Sequence, residues 1–204
     1  PIVILKVGRT EASSKLALSH TGALVGDFEV FKAVLEKYNA HIVYSIDELA
    51  ASLQVFSHYQ NVENKGIASI HDSRGERELI VDIADDLSVP FAKLTKDTKQ
   101  KLSYVLEPTM DTSNPLDAWG SGHDADQLFK SAFLNLLSDK NVSLGLYVQD
   151  WREDYYLHLM HEKIIFEIIK EANKPVIAVS NYSMTIDQQM AKSYIFTLYA
   201  KYYF

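Results

Sequence analysis

Residues 1–60 alternate between short apolar runs and stretches in which apolar residues recur every three or four positions. Short β-branched runs predict buried strands, whereas the 3.6-residue period predicts amphipathic helices. Asp27 and Ser45 each precede a periodic stretch, and Glu48 completes a capping box with Ser45, so both helices have a predicted beginning. The predicted strands are residues 2–6 and 41–44, the predicted helices are residues 27–39 and the segment after Ser45, and residues 7–14 are a predicted loop.

A polar stretch without periodicity at residues 61–65 predicts a linker between two lobes, residues 1–60 and residues 66–204. In the second lobe, apolar runs again alternate with helical patterns, which predicts βαβ crossovers and a mainly parallel sheet flanked by helices. The predicted fold class is therefore α/β. The predicted strands of this lobe are residues 66–70, 143–148 and 175–180, its predicted helices are residues 76–87, 95–106, 124–138 and 153–172, and residues 71–75 are a predicted loop.

Composition narrows the function classes. The chain has 204 residues, a formal net charge of −7 and no cysteine. Because it is acidic and shows no basic patch, nucleic acid is not an expected partner. The lack of cysteine excludes disulfides and thiolate chemistry and favours a cytoplasmic protein. No apolar run reaches the length of a membrane helix, so no membrane association is expected.

His20 lies in a glycine-containing segment, residues 18–26, which predicts a turn ahead of a helix. Neutral imidazole is a nucleophile near pH 7 and can accept a phosphoryl group. Backbone N–H groups in such turns suit a phosphate. From the pattern alone, an ordinary polar loop residue is the more frequent case, and both interpretations stay open. Arg9 and Lys15 flank this segment, either as solvated side chains or as cations that steer phosphate.

Two turns of the second lobe carry further candidate residues. Asp72, Ser73 and Glu76 lie in a strand-to-helix turn, the usual ligand edge of an open α/β sheet, although Asp72 or Ser73 can simply cap the helix that starts at Glu76. Asn114 and Asp117 flank Pro115, and their side chains suit either hydrogen bonds within the turn or a phosphate or acyl site. A phosphoacceptor module of response-regulator type would need acidic partners beside Asp72, and the sequence shows no such pair there.

The histidine and aromatic residues between positions 151 and 161 are predicted to have structural and not functional roles. His158 and His161 are three positions apart on a predicted helix, but no third ligand is evident, so no metal site is predicted. These histidines are expected on a partly exposed helix face. Trp151 and Tyr155 are expected to be surface or interface aromatics.

Three segments together resemble the NDP-forming acyl-CoA synthetases, the superfamily that includes succinyl-CoA synthetase and ADP-forming acetate–CoA ligase. Ser19-His-Thr-Gly-Ala-Leu24 resembles the phosphohistidine loop. Residues 70–79 resemble the strand, turn and helix that open the family's next flavodoxin-like domain, and Asn114-Pro-Leu-Asp-Ala-Trp-Gly120 resembles its NPxD segment. In family order, the resemblance covers most of residues 2–190.

The resemblance implies two flavodoxin-like lobes, the first being the C-terminal part of a phosphohistidine domain. It also implies a reversible reaction of an acid, CoA and ATP to acyl-CoA, ADP and phosphate. His20 would carry the phosphoryl group between acyl phosphate and nucleotide, with Ser19, Thr21 and Gly22 in its phosphate loop. The implied cofactors are CoA, ATP or ADP, and Mg²⁺. The implied partners are a small-molecule acid and CoA-binding and ATP-grasp domains or subunits outside this chain, so the chain alone is expected to be inactive.

The turn at residues 73–75 departs from the Gly-Gly that the family usually has there. Arg74 places a long cation where bare backbone would let phosphate approach, so the turn is either an anion site or a changed pocket. Arg74 and Gly75 thus join Asp72, Ser73, Asn114 and Asp117 as candidates for a phosphate or acyl site. The alternative function is a non-catalytic, regulatory relative, such as the corresponding domain of a protein acyltransferase.

Two expectations concern the ends of the lobes. The first lobe is expected to be truncated and to expose a sheet edge, which favours homo-oligomers. Residues 194–204 are rich in tyrosine. They are expected to be a truncated or non-native end rather than the further strand that a flavodoxin-like domain would have.

Overall fold

The structure is a computed structural model that describes residues 1–21, 26–59, 62–152 and 154–181, with the backbone of Thr197–Tyr199. For residues 20 and 21 it describes the backbone alone. The chain divides into two compact units, Pro1–Gln60 and Asn61–Phe204. Within the described ranges, no helix is both long and apolar enough to cross a bilayer.

The described residues of unit 1 form two parallel strands and three helices. Strands β1 and β2 pair with Val3 opposite His41 and Leu5 opposite Val43. Asp27 begins α2, because its carboxylate accepts hydrogen bonds from the N–H groups of Glu29, at 2.8 Å, and Val30. The elements in chain order are β1 (Val3–Leu5), α1 (Glu11–Thr21), α2 (Phe28–Lys37), β2 (His41–Val43) and α3 (Ile46–His58). The predicted strands, the helix after Asp27 and the helix after Ser45 are confirmed.

The structure has helix α1 at Glu11–Thr21, where the sequence predicted the end of a loop over residues 7–14 and a turn around His20. The helix begins at Glu11 because Thr10 and Ser13 cap it reciprocally: the Ser13 N–H donates to Thr10 Oγ1 at 3.2 Å, and the Thr10 N–H donates to Ser13 Oγ at 3.1 Å. Its side chains are mostly polar and carry no clear apolar stripe, so hydrophobic periodicity gave no helical signal. His20 therefore lies in the last turn of a helix.

The start of α3 is held by the predicted pair of Ser45 and Glu48, although the Glu48 carboxylate accepts the N–H of Tyr44 and not that of Ser45. Ser45 Oγ accepts the Glu48 N–H at 3.1 Å, and Glu48 Oε2 accepts the Tyr44 N–H at 2.6 Å. We expect Ser45→Ala to destabilise the first turn of α3 by about 1 kcal/mol, the usual value of an N-cap hydroxyl. Amide hydrogen exchange at Glu48 is then faster than in the wild type.

Ser57→Ala is the matched control, because the Ser57 hydroxyl lies in the last turn of the same helix and bonds Gln54 O. It is expected to leave the exchange at Glu48 unchanged. Equal acceleration in both variants would mean that the cap does not hold this helix.

Unit 2 is built on a five-stranded parallel sheet with strand order β4-β3-β5-β6-β7. The central pair runs from Ile67 opposite Leu144 to Ile70 opposite Tyr147. The helices connect parallel neighbours, as the alternating pattern predicts. The elements in chain order are β3 (Gly66–His71), α4 (Arg74–Asp86), α5 (Lys96–Val105), β4 (Leu116–Asp117), α6 (Ala125–Ser138), β5 (Val142–Gln149), α7 (His158–Glu171), β6 (Val176–Ser180) and β7 (Thr197–Tyr199).

The core of unit 2 lies between the sheet and helices α6 and α7. Phe129, Phe133 and Tyr147 are fully buried and pack ring against ring, with centroids 5.5 Å apart for Phe133 and Tyr147. Gly145 lies beneath them, where a Cβ would come within 2.7 Å of the Phe133 ring. The small residue on β5 therefore makes room for the aromatic layer of α6.

Several predicted boundaries in unit 2 need correction. Helix α7 begins at His158, five residues after the predicted start. His158 and His161, predicted on a partly exposed face, are 7% and 1% exposed because they share the buried stripe of α7 with its isoleucines. Trp151, predicted to be a surface or interface aromatic, is 2% exposed and donates Nε1–H to Val179 O within unit 2.

Two short strands were not predicted. Strand β4 has two residues, too few for a periodic pattern, and only its pairing with the end of β3 defines it. Strand β7 pairs with β6 from Ala178 opposite Thr197 to Ser180 opposite Tyr199. Thr197–Tyr199 thus form a strand within the residues that the sequence suggested to be a truncated or non-native end.

Candidate functional site

The predicted phosphohistidine segment ends helix α1. The backbone of His20 and Thr21 belongs to the last helical turn, and Ser19 Oγ donates to Leu16 O at 2.7 Å. Gly22, the remaining residue of the predicted phosphate loop, lies outside the described residues. The role of His20 as phosphoryl acceptor stays a prediction.

A cleft of unit 1 lies at the other end of the same helix. It has a volume of about 460 Å³ and is lined by the start of α1 and the start of α2, including Arg9, Ser14 and Asp27. The Arg9 guanidinium lies over the Tyr44 ring, 5.2 Å from its centroid. Lys15 forms an ion pair with Glu11 at 2.7 Å, so both predicted phosphate-steering cations have a partner within unit 1.

A second cleft, of about 480 Å³, lies in unit 2 at the carboxyl ends of β3 and β4. It collects three of the predicted site residues, Asp72, Arg74 and Asp117, and it adds Arg77. Ser73, Gly75 and Asn114 do not line it. The remaining lining residues are Glu107, Thr109, Met110, Asp111, Trp119, Gly120 and Ser121. This is the usual ligand edge of an open parallel sheet.

Helix α4 supplies both arginines of this cleft. It begins at Arg74, two residues before the predicted start, and Ser73 occupies its N-cap position without a side-chain capping bond. Arg74 is exposed and Arg77 is half-buried, with Nη1 3.4 Å from Ser113 Oγ. The start of α4 and two guanidinium groups attract an anion, whereas the carboxyl groups of Asp72, Glu107, Asp111 and Asp117 in the same cleft oppose this attraction.

Asn114 holds the sheet edge together behind the cleft. Its Oδ1 accepts the Ser69 N–H at 3.1 Å, and its Nδ2 donates to Ile67 O at 2.9 Å and to Ala92 O at 3.0 Å. Phe91 bridges Ile67 in parallel at the start of β3, whereas β4 pairs with its end. Along β3, the Asn114 amide therefore takes the hydrogen bonds between the Phe91 bridge at one end and β4 at the other.

Asp72 is surrounded by hydrogen-bonding groups from the loop before α7 and from α7 itself. Its Oδ2 accepts the Tyr155 hydroxyl at 2.5 Å and lies 3.8 Å from His161 Nε2. Burial raises the pKa of Asp72, and the nearby Asp150 and Asp117 carboxylates raise it further, while the Tyr155 hydrogen bond opposes them.

Glu76 lies in the first turn of α4, and its Oε2 is buried without a hydrogen-bond partner among the described residues. Burial and the charges of Asp72 and Asp150 raise the pKa of Glu76 to about 7. Asp150 follows β5 and accepts Asn181 Nδ2 at 3.1 Å. The neighbouring carboxyl groups of Asp72, Glu76 and Asp150 come from the end of β3, the start of α4 and the end of β5, which lie far apart in the sequence except for Asp72 and Glu76.

Two buried histidines flank this cluster in neutral form. Tyr147 and His161 form a hydrogen bond of 2.8 Å between the hydroxyl and Nδ1, and burial lowers the pKa of His161 to about 3. His71 Nε2 lies 2.8 Å from Ser69 Oγ, and burial, with Arg77 nearby, lowers the pKa of His71 to about 3. Neither imidazole carries a charge near pH 7.

Sequence reasoning missed several residues of this region. The sequence analysis assigned no functional role to four of them: Arg77, Asp150, Tyr155 and His161. The position of Asp150 directly after a buried strand was a usable signal, because the carboxyl ends of parallel strands share one edge. Nothing in the sequence pairs Tyr155 with Asp72, 83 positions earlier in the chain.

Comparison with known proteins places the predicted histidine segment in a known domain type. Residues 1–56 match the family described as succinyl-CoA ligase like flavodoxin domain. "Acetate--CoA ligase [ADP-forming] II" of Archaeoglobus fulgidus is 33% identical over 144 residues, 70% of this chain and 21% of that protein. The chain belongs to the NDP-forming acyl-CoA synthetase superfamily. The resemblance predicted from the three segments is thereby confirmed.

Further relatives of this superfamily give the same result. "Acetate--CoA ligase [ADP-forming]" of Methanocaldococcus jannaschii is 34% identical over 59% of this chain and 17% of its own length. The alpha subunit of "Acetate--CoA ligase [ADP-forming] II" of Pyrococcus furiosus is 29% identical over 71% of this chain and 31% of its own length. The chain thus spans well under half of these relatives.

A solved structure confirms the flavodoxin-like fold. It is the dinucleotide forming acetyl-coenzyme A synthetase 1 of Ca. Korarchaeum cryptofilum in complex with phosphate and ADP. It superposes with a TM-score of 0.76 at 20% identity, over 94% of this chain and 41% of that chain. At this identity the likeness establishes the fold of the chain.

Proposed function

We propose that this chain is a section of an ADP-forming acyl-CoA synthetase. In this proposal the section carries the end of a phosphohistidine domain and the flavodoxin-like domain after it. The observation that carries the proposal is the match, at 29–34% identity, to ADP-forming acetate–CoA ligases over 59–71% of the chain. The reaction converts an acid, CoA and ATP into acyl-CoA, ADP and phosphate, and it is reversible.

His20 is the proposed phosphoryl carrier. In the ATP-forming direction, phosphate displaces CoA from acyl-CoA and gives acyl phosphate with free CoA thiol. An imidazole nitrogen of His20 then attacks the phosphorus, the bond to the acyl oxygen breaks, and the acid leaves as a carboxylate. A β-phosphate oxygen of ADP takes the phosphoryl group, forming ATP and restoring neutral His20. Each step exchanges one bond to phosphorus or to the acyl carbon.

The unit 2 cleft is the proposed phosphate or acyl site. Arg74 and Arg77 balance negative charge on the ligand, and the start of α4 adds partial positive charge. The same cleft also carries the carboxyl groups of Asp72, Glu107, Asp111 and Asp117. The inserted Arg74 cation is in this proposal an anion-binding group and not a blocking one.

The remaining parts of the reaction belong to sections outside this chain. CoA and the nucleotide bind there in this proposal, with an unidentified small-molecule acid as substrate. Mg²⁺ at the nucleotide would offset phosphate charge. The described residues form no cluster of three or more metal-ligating side chains, so we assign no metal to them. One relative is named as a separate subunit, so the other sections belong either to one polypeptide or to partner subunits. The proposal places the enzyme in the cytoplasm.

The test is a product assay on the full-length protein with its partner sections. Incubation with acetate or a panel of other acids, CoA, Mg²⁺ and ATP or GTP is expected to yield acyl-CoA and free phosphate in equal amounts. The nucleotide product is expected to be a diphosphate. The isolated chain of residues 1–204, run in parallel, is expected to form none of these products.

Two results would contradict the proposal. A monophosphate nucleotide and pyrophosphate would indicate adenylate chemistry, without a phosphohistidine. Nucleotide binding without any product or protein phosphorylation, across the acid panel, would favour the non-catalytic regulatory relative.

A further inference from the structure

The unit 2 cleft carries charged groups of both signs. Its guanidinium groups belong to Arg74 and Arg77, and its carboxyl groups belong to Asp72, Glu107, Asp111 and Asp117. Among the described residues, no ion pair joins a guanidinium group of the cleft to one of its carboxyl groups. Because carboxyl groups outnumber guanidinium groups, a ligand that carries a cation beside its anion fits this cleft better than a plain anion does.

Asp72 differs from the other carboxyl groups of the cleft in its burial. Glu107 Oε1 accepts the N–H of Ser121 at 2.9 Å and its hydroxyl at 2.6 Å, both within the local loop. Asp111 is exposed. The Asp72 side chain is only 9% exposed, although it lines the cleft. Burial of a carboxylate is costly, so Asp72 needs partners that compensate for the lost water.

Two groups from the region of α7 hold one oxygen of Asp72. The Tyr155 hydroxyl, in the loop before α7, donates to Oδ2 at 2.5 Å. His161 Nε2, on α7, is buried without a hydrogen-bond partner among the described residues and lies 3.8 Å from the same oxygen. Both contacts involve Oδ2, which leaves Oδ1 for a ligand in the cleft.

Tyr147 fixes the proton on the His161 ring. The fully buried Tyr147 hydroxyl and His161 Nδ1 form a hydrogen bond of 2.8 Å. A neutral imidazole carries one proton, and a bare Nε2 lone pair facing a carboxylate would be repelled by it. We therefore assign the proton to Nε2, so its N–H dipole points at Asp72. Tyr155 and His161 together favour an ionised, oriented carboxylate.

We propose that Asp72 binds the ammonium group of an amino acid substrate, and that Tyr155 and His161 are positioning residues for this carboxylate. This rests on the proposed function of the cleft as an acyl site and names the class of its substrate. The substrate carboxylate meets the guanidinium groups of Arg74 and Arg77, while its ammonium group donates to Asp72 Oδ1. The acid that the enzyme activates is then an amino acid and not a plain acid such as acetate.

The size of the expected preference follows from this charged hydrogen bond. A methyl group in place of the ammonium group leaves the buried carboxylate without its ligand partner. Hydrogen bonds to charged groups are strong enough to change affinity about ten- to hundredfold. We therefore expect an amino acid to be used at least about tenfold better than a plain acid of the same size.

The experiment compares three matched pairs of acids with the full-length protein and its partner sections. The pairs are glycine with propanoate, 3-aminopropanoate with butanoate, and 4-aminobutanoate with pentanoate. The two members of each pair have equal numbers of non-hydrogen atoms and differ by an ammonium or a methyl group. The measurement is kcat/KM for ADP formation from ATP with CoA and Mg²⁺. In at least one pair, the amino acid is expected to be favoured about tenfold or more.

Three variants test the assignment to Asp72. Asp72→Asn keeps the shape but not the charge, and is expected to abolish the preference for the amino acid. Tyr155→Phe leaves the carboxylate without its donor and is expected to reduce the preference about three- to tenfold. Tyr156→Phe is the matched control, because this neighbouring tyrosine is 79% exposed, and it is expected to keep the wild-type ratio. Both acids of a pair are assayed on one sample, so the ratio is independent of the fraction of folded enzyme.

Equal use of both acids in all three pairs, or a preference for the plain acids, would overturn the inference and leave the proposed function intact. A wild-type preference that persists in both Asp72→Asn and Tyr155→Phe would show that Asp72 only anchors the loop before α7. Loss of the preference in Tyr156→Phe would equally contradict the assignment. A protein that forms no ADP with any acid rejects the proposed function, and this inference with it.

Discussion

Replacing His20 with alanine is expected to abolish covalent phosphorylation of the full-length protein. With γ-labelled ATP and Mg²⁺, the wild type is expected to acquire one acid-labile, alkali-stable label, the signature of a phosphoramidate. Without an imidazole the covalent intermediate has no acceptor, so turnover is expected to fall by about a thousandfold or more, the scale seen when a covalent nucleophile is removed. Autoradiography and acyl-CoA formation measure the two effects.

His58→Ala is the matched control for His20→Ala. His58 is an exposed histidine in the last turn of α3, as His20 lies in the last turn of α1. The control is expected to label and turn over like the wild type. A wild-type level of label on His20→Ala would place the acceptor elsewhere and reject the phosphohistidine assignment.

Replacing Asn114 with alanine is expected to destabilise unit 2 by about 2–4 kcal/mol. The substitution removes three hydrogen bonds, so the Ser69 N–H loses its side-chain acceptor, although Ile67 O still accepts the Ala92 N–H at 2.8 Å. Amide hydrogen exchange of residues 66–71 and 90–92 in the full-length protein is expected to be faster. This measurement separates the two interpretations of Asn114, because a residue that only lines a ligand site leaves stability nearly unchanged.

Gln127→Ala provides the control for Asn114→Ala, because Gln127 carries the same amide group on an exposed position of α6. Its exchange pattern is expected to match the wild type. Wild-type exchange in Asn114→Ala, combined with a large loss of turnover, would show that the amide serves the ligand and not the sheet.

Most secondary structure in both units could be predicted from local pattern. Asp27 and Ser45 begin helices where their side chains cap the chain, and β3, β5 and β6 lie on the predicted apolar runs. These elements are predictable because capping and periodic burial act within a few residues. Helix α1 was not predicted because its side chains form no apolar stripe. Its start depends instead on the reciprocal hydrogen bonds between Thr10 and Ser13.

The candidate site was predictable only in part. Asp72, Arg74 and Asp117 were found because each lies in a turn beside a strand, and all three line the unit 2 cleft. Asn114 was predicted as a member of the same group, but its side-chain amide forms hydrogen bonds with the backbone of β3 and of Ala92. The sequence gives no measure of which way a turn side chain points.

The sequence by itself determined the α/β class, the order of most elements and the resemblance to NDP-forming acyl-CoA synthetases, because these depend on local pattern and on motif order. Only the tertiary structure decided that Asp72 meets Tyr155 and His161, and that Glu76 lies near the carboxyl groups of Asp72 and Asp150. The physical reason is that segments far apart in the sequence together determine how deeply a side chain is buried and which charges lie near it. Burial and nearby charges determine the pKa of the side chain, and a local sequence pattern contains neither.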